Sequence, residues 1–447
     1  MTREDFKNKK ILVLGMARSG YEVSKLLSKY NNEIIITDRK EQDSTHIDEL
    51  NKLGVKFILS EDPIDLIDKS YDLVIKNPGI RYDHPLILKA IDLNIKVVNE
   101  VEVAYHFLPS DAYIIAVTGS NGKTTTTTLC YEFVKEMGLN VHLGGNIGYP
   151  LSQIVNDVKS GDIVVLEISA QQLHDCYDFN PNVSILTNLT EVHTDFFGTH
   201  ENYVNHKLRI FMNHNENSIA VLNKSNLEEY NSTKNIKSKK IYFSSKEEAE
   251  ACIKNNSIYY NDEKVIDLSD IKLKGMHNYE NIMCAIIATK ELNISNETIK
   301  TVLKNFNGVE HRVEYVKTVN GIDFYNDSKA TNVKSTEIAL NAFKNPTILI
   351  MGGLDRKHSF EDLSDDLDNV ELVVCYGETK NRIKEFCDKY NKKCIIVDNL
   401  IEAVKISYEN AKEGYTVLLS PACASWDQFE SFEIRGNLFK DEVNKLK

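Results

Sequence analysis

The chain has 447 residues, too many for one ordinary hydrophobic core, so two or three domains are expected and three fit best. Hydrophobic residues make up 42% and charged residues 27%, which excludes a disordered chain, and no apolar run reaches the roughly 20 residues of a membrane span. The net charge of -13 is spread without an acidic or basic block, against a general nucleic-acid surface but not against small anions held by local loops.

Met1 to Lys10 is polar and runs straight into a strand-like segment, so the expected location is cytoplasmic, with no membrane insertion. From there, short runs rich in Val, Ile and Leu alternate with helical patterns, as in parallel sheets with helical crossovers. Strands are predicted at 11–15, 34–38, 56–59, 73–76 and 96–98, a set that fits one Rossmann-like, doubly wound domain over 1–101. A second set at 114–117, 163–167, 184–188 and 218–222, with a hairpin over 258–266, predicts a central, mainly parallel P-loop ATPase-like domain over 102–308. A third at 323–326, 347–351, 371–376, 394–397 and 415–420 predicts a C-terminal Rossmann-like domain over 309–447, and the fold class is therefore α/β. The eight cysteines are scattered among apolar neighbours without a CxxC pair, which predicts reduced, buried thiols.

The sharpest chemical signal is Gly119-Ser120-Asn121-Gly122-Lys123-Thr124, directly after the strand at 114–117 and before a helical run from Thr125. Glycines let the backbone wrap a phosphate, the N–H groups and helix N-terminus supply partial positive charge, Lys123 adds a full charge, and Thr124 can ligate Mg²⁺. The first glycine of the eight-residue pattern would fall at Val117, so the loop is shortened. A triphosphate needs a metal, and Glu167 ends the neighbouring strand where such a ligand is held, although a strand-end acid can also be merely solvated. His193, just after the strand at 184–188, is a further candidate ligand, or a structural histidine. The loop Gly15 to Gly20, with Asp38 at the next strand end, has the layout of a dinucleotide site, but Ala17 replaces its middle glycine and Arg18 adds charge. Read alone, that loop is as compatible with a packing turn as with a bound diphosphate.

Taken together, the chain resembles the Mur ligase family from end to end. The resemblance is carried by the loop from Val117 to Thr124, Gly144-Gly145-Asn146-Ile147-Gly148, Leu166-Glu167-Ile168-Ser169-Ala170-Gln171-Gln172-Leu173 and Lys207-Leu208-Arg209. It continues through Gly275-Met276-His277-Asn278-Tyr279, Glu310-His311-Arg312, Asn326 to Asn332 and Ser420-Pro421-Ala422-Cys423-Ala424-Ser425. It implies an ATP-dependent ligase of peptidoglycan precursor synthesis, with ATP, UDP-N-acetylmuramoyl-L-alanine and D-glutamate as small-molecule substrates, acting as a monomer.

Carried over by position, the resemblance implies catalytic roles for Lys123, Glu167, His193 and Lys207. Thr124, Glu167, His193 and a carbamylated Lys207 would hold two Mg²⁺ ions. Gly119, Ser120, Asn121, Gly122, Lys123, Thr124, Thr125, Asn278, Asn281, Arg312 and Asp327 would bind ATP. Arg18, Ser19, Asp38, Arg39, Asn77, Gly79, Asn146, Ser169 and Gln172 would bind the uridine-linked substrate. Lys329, Thr331, Lys357, Ser425, Trp426 and Phe432 would bind D-glutamate, with the backbone amide of Trp426 expected to matter more than its ring. Adjacent Arg356 and Lys357 leave open which cation meets the side-chain carboxylate. Read singly, Lys207 is as compatible with a surface helix, and the asparagines with capping, as with a ligand.

Three alternatives compete. Another ligase on the same scaffold, such as folylpolyglutamate synthase or a different Mur enzyme, shares the ATP chemistry but differs at both ends of the chain, with the N-terminal nucleotide loop against the folate enzyme. An NAD-dependent oxidoreductase leaves Lys123 and the central domain unexplained. A noncatalytic nucleotide-regulated binding protein would be indifferent to D-glutamate.

Overall fold

Ile11, Leu12, Val13 and Leu14 are all buried, so β1 (Lys10–Leu14) is covered on both faces, as a central parallel strand must be. The structure is a computed structural model that describes residues 1–190 and 194–447, and the chain divides into two compact units, Met1–Asn305 and Phe306–Lys447. In the first unit β1 is joined by β2 (Glu33–Asp38), β3 (Lys56–Leu59), β4 (Leu73–Lys76) and β5 (Lys96–Val98) in a parallel sheet of order β3-β2-β1-β4-β5. The strand order reverses between β1 and β4, and a crevice opens at their carboxyl ends, where the loops 15–20 and 77–80 lie.

The same unit carries a second sheet. Its strands are β6 (Tyr113–Thr118), β7 (Val141–Gly145), β8 (Ile163–Glu167), β9 (Val183–Leu186), β10 (Ile219–Asn223), β11 (Lys239–Ser244), β12 (Ala251–Lys254), β13 (Ser257–Tyr260) and β14 (Glu263–Asp267). Their order is β14-β13-β12-β11-β10-β9-β6-β8-β7, parallel from β7 to β12 and antiparallel where β13 meets β12 and β14. β7, β11 and β12 are absent from the sequence expectation. β7 reads Val-His-Leu-Gly-Gly and β12 is only four residues long, so neither offers the long apolar run by which buried strands are recognised.

One apolar core runs through both sheets of this unit, from Phe6, Ile11 and Val13 through Val101 and Val103 to Ala116, Leu166 and Leu222. Across the same junction Lys76 and Asp175 form an ion pair of 2.9 Å with side chains 1% and 3% exposed. The pair also ties down its neighbours, since Lys76 donates to the Ile80 carbonyl at 2.8 Å and His174 Nδ1 lies 2.6 Å from Asp175.

In the second unit, β15 (Glu314–Val319), β16 (Ile322–Asn326), β17 (Thr347–Gly352), β18 (Val370–Tyr376), β19 (Cys394–Ile396) and β20 (Thr416–Leu419) form a sheet of order β15-β16-β20-β17-β18-β19. Only the β15–β16 pair is antiparallel. Alternate residues feed separate cores on its two faces, Leu349, Met351 and Val373 on one and Ile348, Ile350 and Val374 on the other. β15, an edge strand buried only at Val319, has no sequence signal as a strand. All eight cysteines are free and all but Cys394 are buried. Among the described residues, no helix is long and apolar enough to cross a membrane.

Lys76→Ala leaves the buried Asp175 carboxylate with only His174 as a charge partner and should cost about 2–4 kcal/mol in chemical denaturation of the full chain. The double variant Lys76→Met, Asp175→Leu should recover most of that loss. A single variant as stable as wild type would show that the pair does not hold the junction.

Candidate active site

β6 feeds its last residue, Thr118, into the loop 119–122, and the helix Lys123–Glu136 begins at Gly122. Gly119 has φ +145° and Gly122 has φ +80°, a region costly for residues with a Cβ. There is no room for one either: it would sit 1.9 Å from Thr187 Oγ1 at Gly119 and 2.1 Å from Asn281 Oδ1 at Gly122. The loop is braced on the β9 side by the Ser120 amide bonded to the Asn188 carbonyl at 2.9 Å and the Asn121 amide to Asn188 Oδ1 at 3.0 Å. Thr187 Oγ1 donates to the Asn121 carbonyl at 2.5 Å, and Tyr203 donates to Ser120 Oγ at 3.0 Å. Thr187, Asn188 and Tyr203 are absent from the sequence expectation. Only the pairing of β9 beside β6 brings the first two to the loop.

Lys123 Nζ donates to the carbonyls of Gly119 and Ser120, both at 3.0 Å. Thr124 Oγ1 donates to Glu167 Oε2 at 2.7 Å, and Asn146 Nδ2 donates to Glu167 Oε1 at the same distance. Glu167, 2% exposed at the end of β8, thus joins the loop to the Gly144–Gly148 segment. Lys207, on the helix His200–Leu208, is also 2% exposed and donates to the Gly119 carbonyl at 2.6 Å. Burial pushes the Lys207 amine far below the ordinary lysine range, the charge of Lys123 pushes it the same way, and Glu167 opposes them. Thr125 is half-buried in the helix's first turn. Asn281 accepts from Thr126 Oγ1 at 3.3 Å, and Asn278 donates to the Lys274 carbonyl at 2.8 Å. His193 lies outside the described residues. A hydroxyl and a buried carboxylate beside a glycine-lined phosphate loop are hard oxygen donors, and this set fits Mg²⁺ held with a nucleoside triphosphate.

In the crevice of the first sheet, both Asp38 oxygens are engaged by backbone, the Met16 amide at 2.8 Å and the Lys40 amide at 3.0 Å. Asp38 therefore shapes the loop from behind. Asn77 donates to Ser19 Oγ at 2.9 Å and accepts the Gly79 amide at 3.0 Å, which joins the two crevice loops, and Arg39 is exposed. Arg18 donates to the Gly148 carbonyl at 2.7 Å and so links this crevice to the segment carrying Asn146. Ser169 and Gln172 cap the helix Ala170–His174 reciprocally, at 2.9 and 3.2 Å, which is the capping role open to such residues.

In the second unit the loops following β16, β17 and β20 hold most of the expected residues, while Arg312 precedes β15 and Phe432 begins the C-terminal helix. Asp327 accepts from Ser420 Oγ at 2.7 Å and from the Val313 amide at 3.2 Å, and burial pushes its carboxyl up to about 7 against those bonds. Arg312 is exposed and Thr331 half-buried. Lys329 Nζ lies 5.7 Å from the Phe432 ring centre, and Ser425 is buried. Trp426 is 64% exposed, and its ring does have a partner: the Arg356 guanidinium stands 4.9 Å over it. Lys357 is exposed. Arg435, fully buried, was not expected from the sequence. It donates to the Ser328 and Cys423 carbonyls at 2.7 and 3.1 Å and to Ser328 Oγ at 3.0 Å, tying the 326–332 segment to the 420–425 segment. Its helical setting just after Phe432 gave no sign of that burial.

Three family models cover the chain in order: a Mur ligase MurD-like N-terminal domain at 9–99, a Mur ligase middle domain at 117–289 and a Mur ligase glutamate ligase domain at 311–423. The chain belongs to the Mur ligase family and has its three-domain α/β fold. Relatives from Bacillus cereus strain G9842 and Bacillus thuringiensis strain Al Hakam, each called UDP-N-acetylmuramoylalanine–D-glutamate ligase, are 43% identical over 100% of this chain and 99% of their own. Among solved structures, the fold is similar to UDP-N-acetylmuramate-alanine ligase of Thermotoga maritima (TM-score 0.59, 19% identity, 98% of this chain and 99% of that one). It is similar also to MurF ligase of Thermotoga maritima in complex with ADP (TM-score 0.58, 18% identity, 99% and 97%).

Asp327 gives a pH test. Its folded value near 7 lies above the roughly 3.9 of a free aspartate, so the folded state binds the proton more tightly. That stabilisation is complete below about pH 4 and is lost as pH rises to about 7. Asp327→Asn should therefore gain stability relative to wild type across that window in urea titrations, and a pH-independent difference would contradict the assignment.

Proposed function

We propose that the chain catalyses ATP-dependent addition of D-glutamate to UDP-N-acetylmuramoyl-L-alanine, an amide-forming step of peptidoglycan precursor synthesis. The observation that carries this reading is the meeting of Lys123, Thr124, Glu167 and Lys207 in one buried cluster where β6 and β8 end. The identity of the acceptor is supported by the full-length likeness to relatives bearing that name.

The chemistry follows from the poor reactivity of a carboxylate toward amines. The alanyl carboxylate oxygen attacks the γ-phosphorus of ATP, the bond to the ADP oxygen breaks, and an acyl phosphate forms. The amine of D-glutamate then adds to the acyl carbon, and the tetrahedral intermediate expels phosphate as the amine loses its proton. Holding both reactants in one site supplies most of the advantage. Lys123 and the amides of the 119–125 loop offset the phosphate charge, with Asn278 and Asn281 nearby; Arg312 and Asp327 are assigned to ATP as well. Thr124, Glu167, His193 and Lys207 would hold two Mg²⁺ ions, which when bound would offset negative charge on the phosphates. The neutral Lys207 amine is the form that adds to carbon dioxide, giving a carbamate and a proton and turning a base into an anionic ligand.

Arg18, Ser19, Asp38, Arg39, Asn77 and Gly79 are assigned to the uridine diphosphate, with Asn146, Ser169 and Gln172 near the muramoyl end. Lys329, Thr331, Lys357, Ser425, Trp426 and Phe432 are assigned to D-glutamate, whose two carboxylates suit lysine and hydroxyl donors. These assignments divide the chain functionally at about residues 101 and 308, and the reaction calls for a single copy of it.

Phosphate release from ATP should require both UDP-N-acetylmuramoyl-L-alanine and D-glutamate. Equal turnover with L-lysine or diaminopimelate would refute the reading. Lys123→Ala should lower turnover by roughly a hundredfold or more while binding of the uridine nucleotide, measured calorimetrically on the full chain, stays intact. Loss of both in a folded variant would mean that the two phosphate loops are not separate sites.

A further inference from the structure

The segment that carries Arg356 and Lys357 leaves β17 as an exposed turn, yet several groups hold it in one shape. Arg382, on the helix Lys380–Lys389, donates through Nη1 to Asp355 Oδ1 at 2.5 Å and through Nη2 to the His358 carbonyl at 2.6 Å. Its guanidinium also lies 5.6 Å from the Phe360 ring centre. One side chain thus grips the turn on both sides of the two cations. Asp355 Oδ1 accepts the Lys357 amide at 2.8 Å as well, and the Asp355 amide donates to Glu378 at 3.1 Å. The Lys357 amide, and then the Arg382 charge, hold the Asp355 carboxyl below the usual carboxylate range. Lys357 has φ +59°, a left-handed conformation that a long side chain rarely adopts unless its surroundings impose it.

The other flank of the turn is tied to the segment that bears Ser425. The Leu354 amide donates to the Ala424 carbonyl at 2.9 Å, and Arg356 stands over Trp426. The turn is therefore suspended between the helix of Arg382 and a segment already assigned to the amino acid.

We propose that Arg382 is a positioning residue for D-glutamate: by clamping Asp355 and the His358 carbonyl it preforms the turn from which Arg356 and Lys357 offer positive charge to the amino acid's carboxylates. This inference rests on the function proposed above. Bidentate guanidinium bonds suit the task, because they fix direction as well as distance. A site whose cations are fixed in advance loses less conformational freedom on binding than one that must order a loop. Arg382 belongs to a different unit from the phosphate loop and its hydrogen bonds go to Asp355 and His358, so its loss should be felt by one substrate only.

The test is steady-state kinetics on the full chain with each of the three substrates varied. Arg382→Ala should raise KM for D-glutamate by about tenfold, with kcat and KM for ATP and for UDP-N-acetylmuramoyl-L-alanine within about twofold of wild type. Arg382→Lys, which keeps a charge for Asp355 but not the second arm, should fall between. Asp355→Asn should add little to Arg382→Ala in the double variant, because both break the same clamp. Thermal unfolding of each variant separates a lost fold from a loosened turn. An unchanged D-glutamate KM in Arg382→Ala overturns the inference, as does a joint rise of all three KM values in Arg382→Ala and Arg382→Lys alike. A wild-type enzyme whose turnover ignores D-glutamate overturns the proposed function and this inference together. A D-glutamate-dependent wild type with an unaffected variant overturns the inference alone.

Discussion

Two lysines donate to one carbonyl. Lys123 and Lys207 both reach the oxygen of Gly119, at 3.0 and 2.6 Å, and Lys207 does so from a position almost without solvent. Two ammonium charges so placed repel each other, and burial makes the more enclosed one the costlier to keep. Burial, and then the Lys123 charge, push the Lys207 amine far below the ordinary lysine range, and Glu167 opposes them. A buried lysine whose charge is disfavoured, bonded to a phosphate loop, is costly for the fold, and much else in the first unit holds it there.

The holding is done by strand order more than by the loop itself. Because β6 lies between β8 and β9, the ends of those strands deliver Glu167 and the Thr187–Asn188 pair to opposite sides of the same loop. The Glu167 carboxylate then bonds Thr124 and Asn146 with its two oxygens, so the phosphate end and the Gly144–Gly148 segment are tied together. Arg18 extends the connection to the crevice of the first sheet, and the Lys76–Asp175 pair closes it from behind. A substrate gripped at its nucleotide end would meet a reacting end whose geometry is already set.

The second unit uses another device for the same purpose. A fully buried Arg435 binds two carbonyls and a hydroxyl and so joins the segments at 326–332 and 420–425 from beneath. Arg382 performs a comparable task at the surface for the turn between β17 and Phe360. In both, an arginine with several directed donors organises backbone whose function belongs to other side chains, which is a task a point charge such as lysine does less well.

The three β/α sets, the phosphate loop with Lys123 and Thr124, and Glu167 at a strand end were legible in the amino-acid sequence, since each depends on neighbours within a few residues. Apolar runs mark strands, and a glycine-rich turn before a helix marks an anion site. The strands β7, β12 and β15 were not legible, being glycine-bearing, short and edge-exposed in turn, and β11, an interior strand that opens on two lysines, offers only a brief apolar stretch; the strand character of all four comes from pairing partners. Nor could local sequence tell a surface lysine from Lys207, or an ordinary helical arginine from Arg435. Ser169 and Gln172, three residues apart, form a capping box at the start of the helix Ala170–His174, a local pairing that their spacing makes legible. Sequence alone determined the chemistry available in each segment, because side-chain type and local turn geometry are short-range properties. Which groups share a dry environment, and hence which have their proton affinity or hydrogen-bonding choice shifted, was decided only by the tertiary structure, because burial and long-range charge depend on what the rest of the chain places around them.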